Sequence, residues 1–303
     1  MAEHPGITQR PPSYAELLVD SLDRYGRGFP AAFNEVTTSS DWKLNLQQIA
    51  LNGYMTRLAV SQIQFFWNLP TVINGYNDGF SVVVSAGAGV GTATVYLDQG
   101  FYTPDSLATE LENKLNADPT VGAATWTVTY SPVDSQFLIS VAGAGSLFVV
   151  GPYGATVNRV TRLYSTMGML RTGGTPATVQ QSSQPTMLAT RYIDLCSSYL
   201  TKFQRVKDVT TLPSHTISNV IARIYPTAPN TRVPLTNDGS IGSQPFSLCI
   251  DYNTPKFIRW SPEEGVSNFD LQLRDEYGDL IPFDVTNGAY GCEYQLTILA
   301  TES

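Results

Sequence analysis

The chain has 303 residues, 42% of them hydrophobic and only 15% charged, with 18 Lys and Arg against 26 Asp and Glu for a formal net charge of -8. No run of basic residues occurs, which argues against specific nucleic-acid binding through phosphate contacts. The opening MAEHPGITQRPPS lacks an apolar signal core, and no apolar run approaches the roughly 18 residues of a transmembrane segment. A charged content well below the roughly 25% of an average soluble domain points instead to surface covered by partner subunits. Cys196, Cys249 and Cys292 form an odd set without CxxC spacing, and no N-x-S/T sequon occurs. Both features fit a protein made inside the cell with reduced, mostly buried thiols.

In chain order, residues 1–47 read as an N-terminal arm. Ser13 followed three residues later by Glu16 forms a capping-box pattern, Gly26 supplies a stop, and Tyr14, Leu17, Leu18, Leu22 and Tyr25 fall largely on one stripe. The pattern predicts an amphipathic helix, with Leu18, Leu22 and Tyr25 as candidate interface residues. From about residue 48 the period changes to two. RLAVSQIQFFWNL, which starts at Arg57, reads as a strand buried on both faces, and Val/Thr/Tyr/Phe-rich strands follow at 80–85, 92–97, 124–130, 136–141 and 146–150. One helix interrupts them, with Thr103 as N-cap, Pro104 at its first position and Leu107, Leu111 and Leu115 on one face.

A short helix is expected near 158–170, followed by a polar loop, Thr172 to Pro185, with an insertion or long loops within 143–190. Further strands are expected at 191–203, 219–225, 246–251, 256–260, 269–274 and 294–299. Many short strands with few helices give an all-β fold, a jelly-roll β-sandwich over 48–303 carrying a helical N-terminal arm and one or two short inserted helices.

The residues that could carry chemistry cluster late in the chain. Asp270, Asp275, Glu276, Asp279 and Asp284 lie within seventeen residues of one another, just after Glu263 and Glu264. Phe269, Leu271 and Leu273 share one face of a strand and Asp270, Gln272 and Arg274 the other, while Asp275, Glu276 and Asp279 surround a turn at Gly278. The charges therefore read as a solvent face and its turn. A glycosidase would need two carboxylates about 5 to 9.5 Å apart, and the spacing selects neither Glu263 nor Glu264 with Asp270 over any other pair. His4 and His215 have no second His at ligand spacing, and YNDGF at 76–80 reads as a hairpin-type turn. Gly87, Gly89 and Gly91 lack the context of a nucleotide loop, and no serine sits in a GxSxG elbow. No catalytic residue, cofactor or metal site is expected, and the chain reads as a non-enzyme.

Several phrases taken in order do carry a resemblance. NLPTVINGYNDGF, VYLDQGFYTPDSLATELENKLN, STMGML, DLCSSYLTKFQRVKD, NVIARIYP, PKFIRW and FDLQLRDEYGDLIP together resemble the penton, or vertex, proteins of jelly-roll-capsid icosahedral dsDNA viruses, those of virophages in particular. The resemblance spans roughly residues 54 to 299 and matches no phrase in the arm or in 172–185. It implies a structural capsid protein: a homopentamer at the five-fold vertices of the virion, in contact with the major capsid protein and synthesised in the host cytoplasm. It brings no catalytic residues and leaves the arm's role open; the arm's helix, with Leu18 and Leu22, is expected to dock on a neighbouring subunit or under the vertex. The competing reading is a carbohydrate-binding jelly roll, for host attachment or glycoside hydrolysis, with Trp67, Trp126 and Trp260 as candidate exposed platforms.

Overall fold

The computed structural model describes residues 14–25, 40–45, 49, 51, 55–143, 145–151, 157–169, 175–204, 219–226, 246–282 and 292–302. Three strands come first: β1 (Tyr14–Asp20), β2 (Asp41–Asn45) and β3 (Arg57–Trp67). A central block follows, with β4 (Gly79–Ala86), β5 (Gly91–Tyr96), α1 (Pro104–Ala117), β6 (Thr125–Ser131), β7 (Gln136–Ala142), β8 (Leu147–Val150), α2 (Arg159–Met167) and β9 (Val179–Gln181). The chain closes with β10 (Ile193–Cys196), β11 (Val220–Ile224), β12 (Phe246–Asp251), β13 (Ile258–Arg259), β14 (Asn268–Arg274) and β15 (Tyr294–Thr301).

The first and last groups make one sandwich. One sheet runs β1-β15-β3-β12, with β13 also beside β3, and the other runs β11-β10-β14-β2. Setting aside short β13 and renumbering these eight strands in chain order turns the two sheets into 1-8-3-6 and 5-4-7-2. That is the strand order of a jelly roll, in which the chain passes back and forth between two four-stranded antiparallel sheets. Both sheets contribute to one core, including Phe65, Trp67 and Leu296 from the first and Trp42, Leu195, Phe269 and Leu271 from the second. The Trp42 indole donates to the Tyr294 hydroxyl at 2.7 Å across the core, which satisfies two polar groups that burial would otherwise penalise.

The segment expected to be a helical arm is instead β1, followed by a 3-10 turn at Ser21–Tyr25. Tyr14 to Asp20 pair antiparallel with Thr301 to Gln295, so β1 is an edge strand of the roll itself. Ala15 and Leu17 pack against the core and Val19 lies in it, while Tyr14, Glu16 and Leu18 point outward. The same residues satisfy a period of 3.6 and a period of two over so short a span. The free edge of β15, which needs hydrogen-bond partners, decides between them. With β2 on the edge of the opposite sheet, two of the eight roll strands precede residue 48.

Strand β3 also departs from the expectation of burial on both faces. Leu58 and Val60 are core residues at even positions, whereas Ile63, Phe65 and Trp67 are core residues at odd ones. The register against β15 slips between Thr297, opposite Gln62, and Ile298, opposite Val60. This bulge leaves Ser61 without a facing residue and moves the inward face from one parity to the other.

The central block has its own core. Hydrophobic residues from Val72 to Met187 form a second buried cluster, and none of the sandwich core lies between Tyr76 and Leu188. Two small sheets, β5-β4-β8 and β6-β7-β9, enclose it together with the helices. Helix α1 follows its sequence signals: Thr103 and Ser106 form the reciprocal cap, Pro104 opens the first turn, and Leu107, Leu111 and Leu115 are buried. Helix α2 starts on the Asn158 cap and ends at Gly168, whose φ of 74° is the left-handed conformation that glycine adopts without strain. The inserted unit is therefore longer than the 143–190 of the sequence expectation, and part of the polar 172–185 loop becomes β9, paired with β7.

Candidate functional site

Three of the carboxylates that suggested an acid/base site, Asp275, Glu276 and Asp279, are held where the inserted block meets the sandwich. Strand β14 alternates as expected, with Phe269, Leu271 and Leu273 inward, and Gly278 turns the chain with a φ of 83°. Asp275, however, is not a solvent-facing turn residue, since it is only 1% exposed. Its Oδ1 accepts the backbone N–H groups of Tyr277 and Asp279, both at 2.9 Å. Its Oδ2 accepts from the Tyr76 hydroxyl at 2.6 Å and from Arg162 Nη2 at 3.1 Å. Arg162 comes from α2 in the inserted block, also pairs with Asp279, and lies over the Tyr76 ring at 4.5 Å. Burial, and then the neighbouring Asp275 charge, push the Tyr76 phenol well above its ordinary value.

Glu276 sits on the other side of the same turn. It accepts from the Thr190 hydroxyl and from the Arg191 N–H at 3.1 Å, where the chain returns to the sandwich. Burial raises its carboxyl pKa, and the Thr190 bond offsets only part of that rise. The outgoing crossover is fixed similarly. Asn77 accepts from the Ile73 N–H at 2.7 Å and donates to the Thr71 carbonyl at 2.8 Å, and Asp78 forms a two-pronged pair with Arg159. YNDGF is thus a buried crossover into β4 rather than a hairpin turn. Burial pulls the Asp78 carboxyl upward, but the Arg159 guanidinium and the Gly75 N–H more than offset it, leaving a lowered pKa.

Asp270 is equally occupied. It accepts from the Ser197 hydroxyl and from the backbone N–H groups of Ser198 at 3.0 Å and Tyr199 at 2.9 Å, capping the turn after β10. Glu264 pairs with Lys202, which rests 4.0 Å from the Tyr199 ring centroid. The cluster fixes a turn, a cap and a junction, and each of these carboxylates is committed to donors. Asp284, His4 and His215 lie outside the described residues. The glycine run at 87–91 is the β4–β5 connection, where a side chain on Gly87 would meet Ser146 at 2.4 Å.

The three tryptophans named as carbohydrate platforms are all buried: Trp67 and Trp260 in the sandwich core and Trp126 in the second core. Strand parity turns Trp67 and Trp126 inward, and Trp260 follows β13 into the core, so none of them offers a ring to a sugar. Exposed apolar groups lie elsewhere. On β1, Tyr14 is 74% and Leu18 65% exposed, and Leu22 in the following turn is 53% exposed. These three flank the outer edge of β1, on which no other strand pairs among the described residues. Of the interface candidates from the sequence, Leu18 and Leu22 are exposed, and the Tyr25 side chain lies outside the described residues.

With the roll and its inserted block established, the chain can be compared with known proteins. It is similar over almost its whole length to the mavirus penton protein. That crystal structure shares 13% identity, covers 96% of this chain and 99% of its own, and superposes with a TM-score of 0.48. A chain of the Sputnik virophage, determined by cryo-EM, shares 11% identity over 95% of this chain and 97% of its own, with a TM-score of 0.44. No family model and no curated protein matches the sequence.

Proposed function

We propose that the chain is a structural capsid protein that forms the pentameric vertex of an icosahedral virion and contacts the major capsid protein there. The observation that carries this reading is the ordered series of sequence phrases from about residue 54 to 299 that resembles penton proteins. Those phrases fall on both units of the fold: the crossover at 68–80, α1, α2, β10 with its turn, β11, β13 and β14. A jelly roll whose edge strand and following turn keep Tyr14, Leu18 and Leu22 outward offers the kind of patch a neighbouring copy covers. A ring requires heterologous contacts, in which the patch on one copy meets a different surface on the next. Leu18 and Leu22 lie on that patch.

Native mass measurement of the purified chain tests the proposal. A five-fold oligomer that falls apart in the Leu18→Glu, Leu22→Glu double variant, with the folded monomer's near-ultraviolet spectrum retained, is the expected result. A strict monomer across the concentration range, which also fails to join the major capsid protein in particle assembly, would overturn it.

A further inference from the structure

Arg259 on β13 faces Arg57 on β3 directly across the ladder. Side chains in such a pair start about 5 Å apart at Cβ, and like charges placed there destabilise the sheet. Both arginines are exposed, and neither is ion-paired among the described residues. In the same structure Arg159, Arg162 and Arg223 each hold a carboxylate. The unpaired arrangement is the more notable in a chain with 26 acidic residues against 18 basic ones. Their only described partner is aromatic: the Arg57 guanidinium lies 6.0 Å from the centroid of Phe257, a ring that is itself 47% exposed.

These residues line one open cleft of about 550 Å³, together with Thr56, Trp260 and Pro262. That is the size of a small-molecule site. Trp260 on this lining is buried, its indole donates to the Glu264 carbonyl at 2.6 Å, and its backbone N–H donates to the Thr56 carbonyl at 2.8 Å. Guanidinium groups are the donors that pair best with the oxygens of a tetrahedral oxyanion, and the Phe257 face suits a ring carried by the same ligand.

We infer that the cleft between β3 and β13 binds a phosphate or sulfate monoester of a ring compound, with the oxyanion bridging Arg57 and Arg259 and the ring against Phe257. The site is independent of the capsid reading and needs no second subunit. Titration calorimetry of the full-length chain with inorganic phosphate, phenyl phosphate and a sulfated disaccharide tests it. Phenyl phosphate or the sulfated sugar is expected to bind more tightly than inorganic phosphate, and whichever of the two binds more tightly identifies the source of the oxyanion. Arg57→Gln and Arg259→Gln should each weaken binding by about tenfold, as expected for loss of one charge-assisted partner. Phe257→Ala should reduce the ring compounds to the level of inorganic phosphate. Without ligand, Arg259→Gln should raise the thermal midpoint, since the like-charge opposition is gone. Absence of heat with all three probes at millimolar concentration, binding unchanged in the arginine variants, or a lowered midpoint for Arg259→Gln would each overturn the inference.

Discussion

Arg162 on α2 donates to Asp275, just beyond β14, at 3.1 Å, and this contact joins the inserted block to the jelly roll. Its side chain is 11% exposed and that of Asp275 is 0% exposed, so the pair is desolvated and depends on mutual compensation. Leaving one member of such a pair alone costs about 3 to 5 kcal/mol, whereas replacing both with apolar groups of similar volume is often neutral.

Arg162→Met is therefore expected to lower the stability of the chain by about 3 kcal/mol in urea unfolding, because Asp275 keeps its burial and loses its cation. The Arg162→Met, Asp275→Leu double variant is expected to lose less than the sum of the single changes. Strictly additive losses would show that the two side chains are not coupled.

Asp270→Ala removes the acceptor for two backbone N–H groups and the Ser197 hydroxyl. A loss of about 1 to 2 kcal/mol is expected, in line with other capping carboxylates. Glu263→Gln, on an exposed side chain, should leave the unfolding midpoint where it was.

Asp78 gives the chain an acid-sensitive crossover. Its folded pKa is lowered, so the unfolded state takes up its proton first as pH falls. The stabilisation it supplies is complete above the unfolded value of about 3.9 and is lost as pH drops through the folded one. Asp78→Asn should lower stability at neutral pH and flatten the further loss on acidification, as measured by urea midpoints at neutral pH and at a pH below the unfolded value of about 3.9. An acid limb as steep as that of the parent chain would exclude this assignment.

The thiols should separate by burial. Cys292 is buried with its pKa pushed up by desolvation, and Cys196 is pushed up to about 12 by burial and the Asp194 charge. Cys249 on β12 is half-buried. Under native conditions a disulfide reagent at mildly alkaline pH is expected to modify Cys249 first and the other two on the time scale of unfolding, as read by mass spectrometry of the digested protein.

Short-range signals settled what short-range physics controls. Thr103, Pro104 and the Leu107, Leu111, Leu115 stripe specify α1 because capping and a single buried face act within four residues. The alternation of Phe269, Leu271 and Leu273 likewise specifies β14. Strand β1 was read as a helix because its apolar residues fit both periods, and the deciding partner, β15, lies some 280 residues away in sequence. The bulge at Ser61 had no local signal, since its cause is the register against β15. Among the site candidates, the sequence placed Leu18 and Leu22 on an apolar stripe and grouped Asp275 with Asp279 around Gly278. It could not foresee Arg162, which enters from a different core. The facing of Arg57 and Arg259 was hidden for the same reason, because it exists only once β13 lies against β3.

By itself, then, the sequence determined the all-β class, the capped helix at Thr103, and the presence of a second short helix near 158–170. Tertiary structure decided which residues those elements bring together. Local propensity acts over a few residues, whereas burial of a charge depends on what a distant segment places beside it. Asp275 has the composition of a turn residue and the environment of a core ion pair, and only the folded chain supplies the second.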